Sequence, residues 1–398
     1  MSLVRHNELV LESLYPAFLL IGLLILAHVL LFWSRPSSDQ VMLPITGMLS
    51  AIGLTLVSRL APKEFSHQIA WVILGFFLMI LVVLLPGSVH WLKRYKYTWA
   101  ILGVALITTT IVFGVDPNGS GERLWLGFGD ILFQPSEVLK VLLVVFVASY
   151  LDDKRELLSE NAFRVGFFKM PAIPYIVPLL VTWSLVVLLL IGQKDLGPTL
   201  LLFGVFIAML YAATSRTVYI WAGLLLFLIA AYGAYHVFGH VATRVDIWID
   251  PWTDAQGKGY QLVQSLVAFA SGGVVGTGLG FGYPLLIPAV YTDFPFAAIG
   301  EEMGLLGTLA IVLLYLVFTY RGLKISLEAQ DSFEQLLAMG LTVTVGLQAI
   351  VIISGNLKLI PLTGITLPFI SYGGSSMLTN FIIVGLLLRI SHASERSS

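Results

Sequence analysis

The sequence has no cysteine and very little charge. The first absence excludes disulfides, thiol catalysis and Cys-ligated metal sites. Charged residues make up 11% of the 398, where soluble chains carry about 25%. The formal net charge is −1, so there is no strongly basic face to suggest nucleic-acid binding. No repeat with a period of roughly 20–50 residues and no low-complexity tract is visible. What is abundant is apolar: 58% hydrophobic residues and a mean hydropathy of +0.91. A water-soluble fold of this size could not hide that much apolar surface.

A transmembrane helix needs about 20 predominantly apolar residues. Eleven runs qualify: 15–33, 41–57, 69–85, 97–115, 137–151, 172–192, 196–213, 217–239, 297–320, 335–354 and 375–390. Strands are not expected, because the runs are continuous rather than alternating. Arg5 precedes the first run as in a signal peptide. No small-residue cleavage site follows, and Phe32, Trp33 and Arg35 do, so a retained anchor is expected.

Lysine and arginine in short connections set orientation. One set of connections holds 13 of them, including Lys93, Arg94, Lys96, Lys154 and Arg155; the other holds 8, including Arg5, Arg59, Arg123 and Arg244. The clusters at 90–96 and 152–169 are therefore expected inside, with the C-terminus inside and the N-terminus outside. Segment 240–296 then lies outside. It is too long for a plain connector, and long loops on rigid scaffolds usually carry function.

The few polar residues near the spans are the candidates for chemistry. Glu137 and Lys140 are spaced i,i+3 on one helix face. They form either a structural ion pair or a direct substrate contact. Asp195, just before Pro198, is either an N-cap of the next helix or a cavity-rim carboxylate. Asp293 is a lone carboxylate among aromatics at the outer surface, where apolar surroundings would raise its pKa. Its bland alternative is a cap on the helix that follows. Glu301 and Glu302 are expected to stabilise that helix's N-terminus, and their side chains point about 100° apart, so they should not serve one site. The glycine-rich run 272–282 lacks a preceding strand and a P-loop lysine, so sharp turns or close packing explain it better than a nucleotide.

Five blocks, in order along roughly 41–392, resemble the SEDS family of peptidoglycan glycosyltransferases (the RodA, FtsW and SpoVE kind). They are Arg123-Leu124-Trp125-Leu126 with Phe133-Gln134-Pro135-Ser136-Glu137 and Lys140; Gln193 with Asp195-Leu196-Gly197; Asp250-Pro251 and Gly259-Tyr260-Gln261 with Ser265; Thr292-Asp293-Phe294 with Gly300-Glu301-Glu302 and Gly304; and Pro361-Leu362-Thr363-Gly364 with Ser371-Tyr372-Gly373-Gly374-Ser375. Departures from the family pattern are Lys194, Pro198, Ala289, Tyr291 and Pro295.

The resemblance implies an all-α polytopic fold of about ten core spans. An extra N-terminal helix and linker would occupy 1–40, and an extracytoplasmic catalytic loop at 240–296 would lie within the family domain 41–392. It implies an inverting transferase that polymerises lipid II into β-1,4 glycan strands on the outer face of the bacterial cytoplasmic membrane. By analogy Asp293 is the general base. Arg244, Lys194, Arg123 and Lys258 are candidate partners for the diphosphate of lipid II and of the nascent glycan undecaprenyl diphosphate. Glu137, Lys140, Asp195, Ser371 and Ser375 complete the expected substrate-binding set. A divalent cation is compatible with this chemistry, although no residue set forms a dedicated metal cage. The implied partner is a class B penicillin-binding protein that supplies transpeptidation. The short C-terminal tail and lack of a long cytoplasmic N-terminal tail favour an elongation role over division. The rival readings are a lipid II flippase and a non-catalytic scaffold of the cell-wall complex. Polar motifs crowded on the outer face, rather than at membrane depth, favour the transferase.

Overall fold

The structure, a computed structural model, describes residues 15–116, 123–128, 131–159, 163–165, 168–170 and 173–395. Arg5, Arg396 and the expected outward N-terminus lie outside the described residues. All eleven expected spans are helices. In chain order the first seven helices are α1 (Tyr15–Ser34), α2 (Met42–Leu60), α3 (Phe65–Leu84), the short α4 (His90–Arg94), α5 (Lys96–Phe113), α6 (Pro135–Ser159) and α7 (Ile173–Gly192). Then follow α8 (Leu196–Thr214), α9 (Val218–Val237), α10 (Gly239–Ile249), α11 (Tyr260–Gly272), α12 (Pro295–Glu328), α13 (Ser332–Asn356) and α14 (Gly374–Glu395). Among the described residues, nine helices are long and apolar enough to cross a membrane. Of the other two expected spans, α6 carries charges near both ends and α7 contains Pro178.

The apolar runs are helices and not strands, as their continuity implies, but short strands occur between them. Two short antiparallel hairpins flank α6: β1 (Leu126–Phe128) with β2 (Ile131–Phe133), and β3 (Phe163–Val165) with β4 (Phe168–Met170). They lie in connections outside the apolar runs, where the chain satisfies backbone groups by folding back on itself.

The core lies around α14 and α13. Of their membrane windows, 89% and 72% are buried by protein, against 17% for α1 and 6% for α9. The apolar side chains that α9 exposes, such as Leu225 and Ile229, form a surface that hydrocarbon solvates better than water. Helix α12 is 34 residues long but is broken at Gly304 (φ 63, ψ −161). The segment after the break, 305–328, is about 36 Å long at 1.5 Å per residue, enough for a hydrocarbon core of about 30 Å. The segment before the break is left to shape the site.

Contacts sort the connections into two ends. At one end Lys93 pairs with Asp152 at 2.6 Å, Arg321 with Asp39, and Arg389 donates to the carbonyl of Gly87 at 2.8 Å. At the other end Tyr372 donates its hydroxyl to Glu64 at 2.7 Å, Arg59 pairs with Glu302, and Asn356 reaches the backbone of Asp293. The two groups coincide with the two sets of connections read from the sequence.

Candidate active site

Asp293 stands on a tight turn. The backbone N–H groups of Thr292 and Asp293 both donate to Ala289 O, at 3.1 and 2.9 Å, and Ala289 holds φ 54. Helix α12 starts at Pro295 with Phe294 at its N-cap and no side-chain cap bond. The capping alternative for Asp293 therefore fails, and its carboxylate is left for other work. The residue keeps partial solvent access, yet protein packs densely around the carboxyl. Burial pushes its pKa up to about 6, while the Thr292 hydroxyl and the charge of Arg244 pull the other way. Of the four cations expected around the site, only Arg244 exerts a resolved electrostatic pull on Asp293.

Arg244 is placed by α10. Its guanidinium donates to the carbonyls of Leu362 and Thr363, at 3.4 and 3.2 Å, and Trp248 one turn further donates to Lys358 O at 3.1 Å. The amphipathic α10 is thereby pinned across the loop that follows α13. Gly364 (φ 70) turns beside the guanidinium. The start of α8 closes the same corner, because a Cβ on Gly197 would meet Thr363 O at 2.7 Å. Asp195 occupies the N-cap position of α8 but makes no side-chain cap bond there, and it is buried. Lys194 beside it is exposed and held at φ 63. Arg123 is exposed, its carbonyl accepting from Gln193 at 3.5 Å. Lys258 is exposed on the turn that Asp250 and Asp254 tie together.

Other expected substrate contacts are committed to the polypeptide. Ser371 is buried; it donates to Thr292 O at 2.6 Å and accepts from Leu367 N at 2.8 Å. Ser375 is buried and accepts from Gln134 N at 2.8 Å. Glu137 and Lys140 form an ion pair at 2.6 Å with side chains only 4% and 2% exposed. Lys140 also donates to Gln348 at 2.7 Å, and Gln348 donates to Thr366 O at 2.8 Å. Thr366 in turn shares a 2.7 Å bond with Ser376. This chain of bonds ties α6, α13 and α14 together.

Glu301 and Glu302 do not act as helix-terminus charges. Both reach the glycine-rich segment: Glu301 accepts from Tyr283 N at 2.7 Å, and Glu302 from Gly280 N at 3.3 Å while pairing with Arg59. The segment wraps around this part of α12, so side chains that diverge by 100° still serve one structure. Close approach explains the glycines: a Cβ on Gly272 would lie 2.0 Å from Gly300 O.

Sequence reading missed Glu64, Gln348 and Asn356. Each is a polar side chain facing other protein in an otherwise apolar chain, and that rarity was the available signal. An apolar groove of about 590 Å³ between α5 and α7, lined by residues such as Ile101, Val104, Phe113 and Leu185, offers no acid–base chemistry. Among the described residues no group of three or more His, Asp or Glu could hold a metal ion.

Fold and site together define a multi-pass membrane protein with one carboxylate, poised near neutrality beside an arginine, at one end of the bundle. Residues 38–396 match the cell cycle protein family of FtsW, RodA and SpoVE. The chain is 38% identical over 381 residues to the peptidoglycan glycosyltransferase RodA of Mycobacterium tuberculosis, covering 93% of this chain and 81% of the relative. It is 34% identical to the probable peptidoglycan glycosyltransferase FtsW of Geobacter metallireducens, covering 89% and 94%. Among solved structures it resembles a chain of a peptidoglycan synthase complex that coordinates polymerization and crosslinking, with TM-score 0.74, 25% identity, and 90% and 98% of the two chains covered. The Thermus thermophilus rod shape determining protein RodA shares its fold, with TM-score 0.65, 24% identity, and 89% and 97% covered. The chain belongs to the FtsW/RodA/SpoVE family.

Proposed function

We propose that this chain is a peptidoglycan glycosyltransferase that polymerises lipid II, with Asp293 as the general base. The observation that carries the reading is the Asp293 carboxyl, raised to about 6, uncommitted to capping, and facing the charge of Arg244. In the reaction the acceptor's 4-hydroxyl oxygen attacks C1 of the donor sugar and its proton passes to Asp293. The C1–O bond breaks and undecaprenyl diphosphate leaves with the electron pair. An α-linked donor gives a β-1,4 bond by single displacement, which needs one base and neutralisation of a leaving group, not the paired carboxylates of a glycosidase. Arg244 is the best-placed group to meet the diphosphate, since a guanidinium matches phosphate oxygens in pairs. Arg123, Lys194 and Lys258 are exposed cations that would steer the anionic headgroup toward it.

The catalytic loop is 240–296, the core domain is 41–392, and both face as the lysine and arginine distribution indicates, with the Asp293 end outside. A class B penicillin-binding protein is the partner that would crosslink the product, a reading supported by the likeness to a chain of a complex coupling polymerization to crosslinking. Elongation is favoured over division by the 38% identity to RodA against 34% to FtsW. The flippase alternative loses ground because the intramembrane pair Glu137 and Lys140 is sealed in protein instead of lining a path. Purified protein incubated with fluorescent lipid II should yield a ladder of glycan strands that a muramidase digests. Lipid II translocation in vesicles without any polymer would reverse the choice.

A further inference from the structure

Three successive backbone carbonyls around the base are each held by a different group from the segment 356–372. Tyr291 O accepts from Tyr372 N at 2.8 Å, Thr292 O from the Ser371 hydroxyl at 2.6 Å, and Asp293 O from the Asn356 side-chain amide at 2.9 Å. The last is the bond on the reacting residue itself. Asn356 is fully buried at the end of α13, and its own carbonyl is tied to α11 by the Ser265 hydroxyl at 3.0 Å. Its Oδ1 is buried with no hydrogen-bond partner. A buried amide with one half unsatisfied works against folding stability, so the half that is used points to a task other than stability.

We infer that Asn356 is a positioning residue for catalysis, fixing the peptide that carries the Asp293 carboxylate so that it meets the acceptor hydroxyl. This rests on the reading of Asp293 as the base. Without the Nδ2 bond, the turn at 289–293 keeps its own bonds to Ala289 O but loses the tie that aims its last residue. Misplacement of a reacting group by about 1 Å can cost about 10²-fold in rate. Asn356→Leu keeps the branched outline and heavy-atom count of the side chain, removes the tie and also removes the unsatisfied Oδ1, so a loss of function should exceed any loss of fold.

The test measures lipid II polymerisation by the full-length purified protein across pH. Asn356→Leu should lower kcat about 10- to 100-fold, change KM less than about threefold, and leave the thermal midpoint close to wild type. The acid limb of its pH–rate profile should move below the wild-type midpoint, because a loosened carboxyl gains water. Ser371→Ala, which frees the neighbouring carbonyl, should move the limb the same way with a smaller fall in kcat, and it decides the matter if Asn356→Leu does not fold. An unmoved limb with normal kcat, or a fall in activity that follows a fall in folded protein with the limb unmoved, would overturn the inference. Asp293→Asn run alongside separates the two ideas. If it polymerises normally, the base assignment fails; if it is inactive while Asn356→Leu behaves as wild type, only the positioning role fails.

Discussion

At the residue scale, the role proposed for Asp293 rests on its environment. With its carboxyl at about 6, kcat/KM should rise about tenfold per pH unit below that point and level off above it, as expected for an essential base in the free enzyme. A profile flat from pH 5 to about 7 would remove Asp293 from the proton transfer. The same shift has a stability consequence. The folded pKa lies above the ordinary value of 3.8, so folding favours the protonated acid. Its contribution is fully present below 3.8 and is lost as pH rises to about 6. Above that window Asp293→Asn should be no less stable than wild type. Asp293, Glu137 and Lys140 were legible in the sequence because charge is scarce there, so each charged residue near a span invites explanation. Asn356 was not legible: it is neutral, ends a helix, and acts on a residue 63 positions away. Ser371 was noticed as a polar motif residue, but its bond to a carbonyl 79 positions back was not legible, since a motif does not show which group a hydroxyl meets.

At the element scale, the apolar runs located the nine helices that, among the described residues, are long and apolar enough to span, because continuous hydrophobicity at membrane length admits few other structures. The ends were less legible. Helix α6 continues to Ser159, past the run that ended at 151, because Asp152 and Asp153 are met by Lys93 and Lys96. Helix α12 runs past 320 because Arg321 is received by Asp39. Ion pairs between elements thus extend helices beyond the apolar zone, and sequence pattern alone does not reveal the partner. Inside that zone the pair Glu137 and Lys140 joins α6 to α13 through Gln348. Removing one partner leaves a buried charge, at a cost of roughly 3–5 kcal/mol. Glu137→Ala should therefore lower the thermal midpoint and the folded yield together with activity. A variant of normal thermal stability that no longer binds lipid II would instead show that the pair serves the substrate.

At the scale of the whole molecule, two ends of one bundle do different work. The Lys93 end binds its basic residues to acids and backbone, while at the Asp293 end Asn356, Ser371 and Tyr372 hold one turn. We propose that the first lies inside, on the excess of lysine and arginine there, a signal that acidic neighbours weaken little. Single cysteines introduced into this cysteine-free chain report the orientation cleanly. An impermeant thiol reagent applied to intact cells should label positions in 252–258 and spare those in 90–96, and the reverse pattern would put the site on the wrong side for glycan synthesis. The most direct test of the account compares Asp293→Asn with wild type on purified lipid II. The two side chains are close in size and differ in basicity, and loss of a general base typically costs about 10²–10⁴-fold. A folded, membrane-inserted Asp293→Asn protein that makes no glycan polymer is the result expected; glycan synthesis near the wild-type rate would contradict the mechanism.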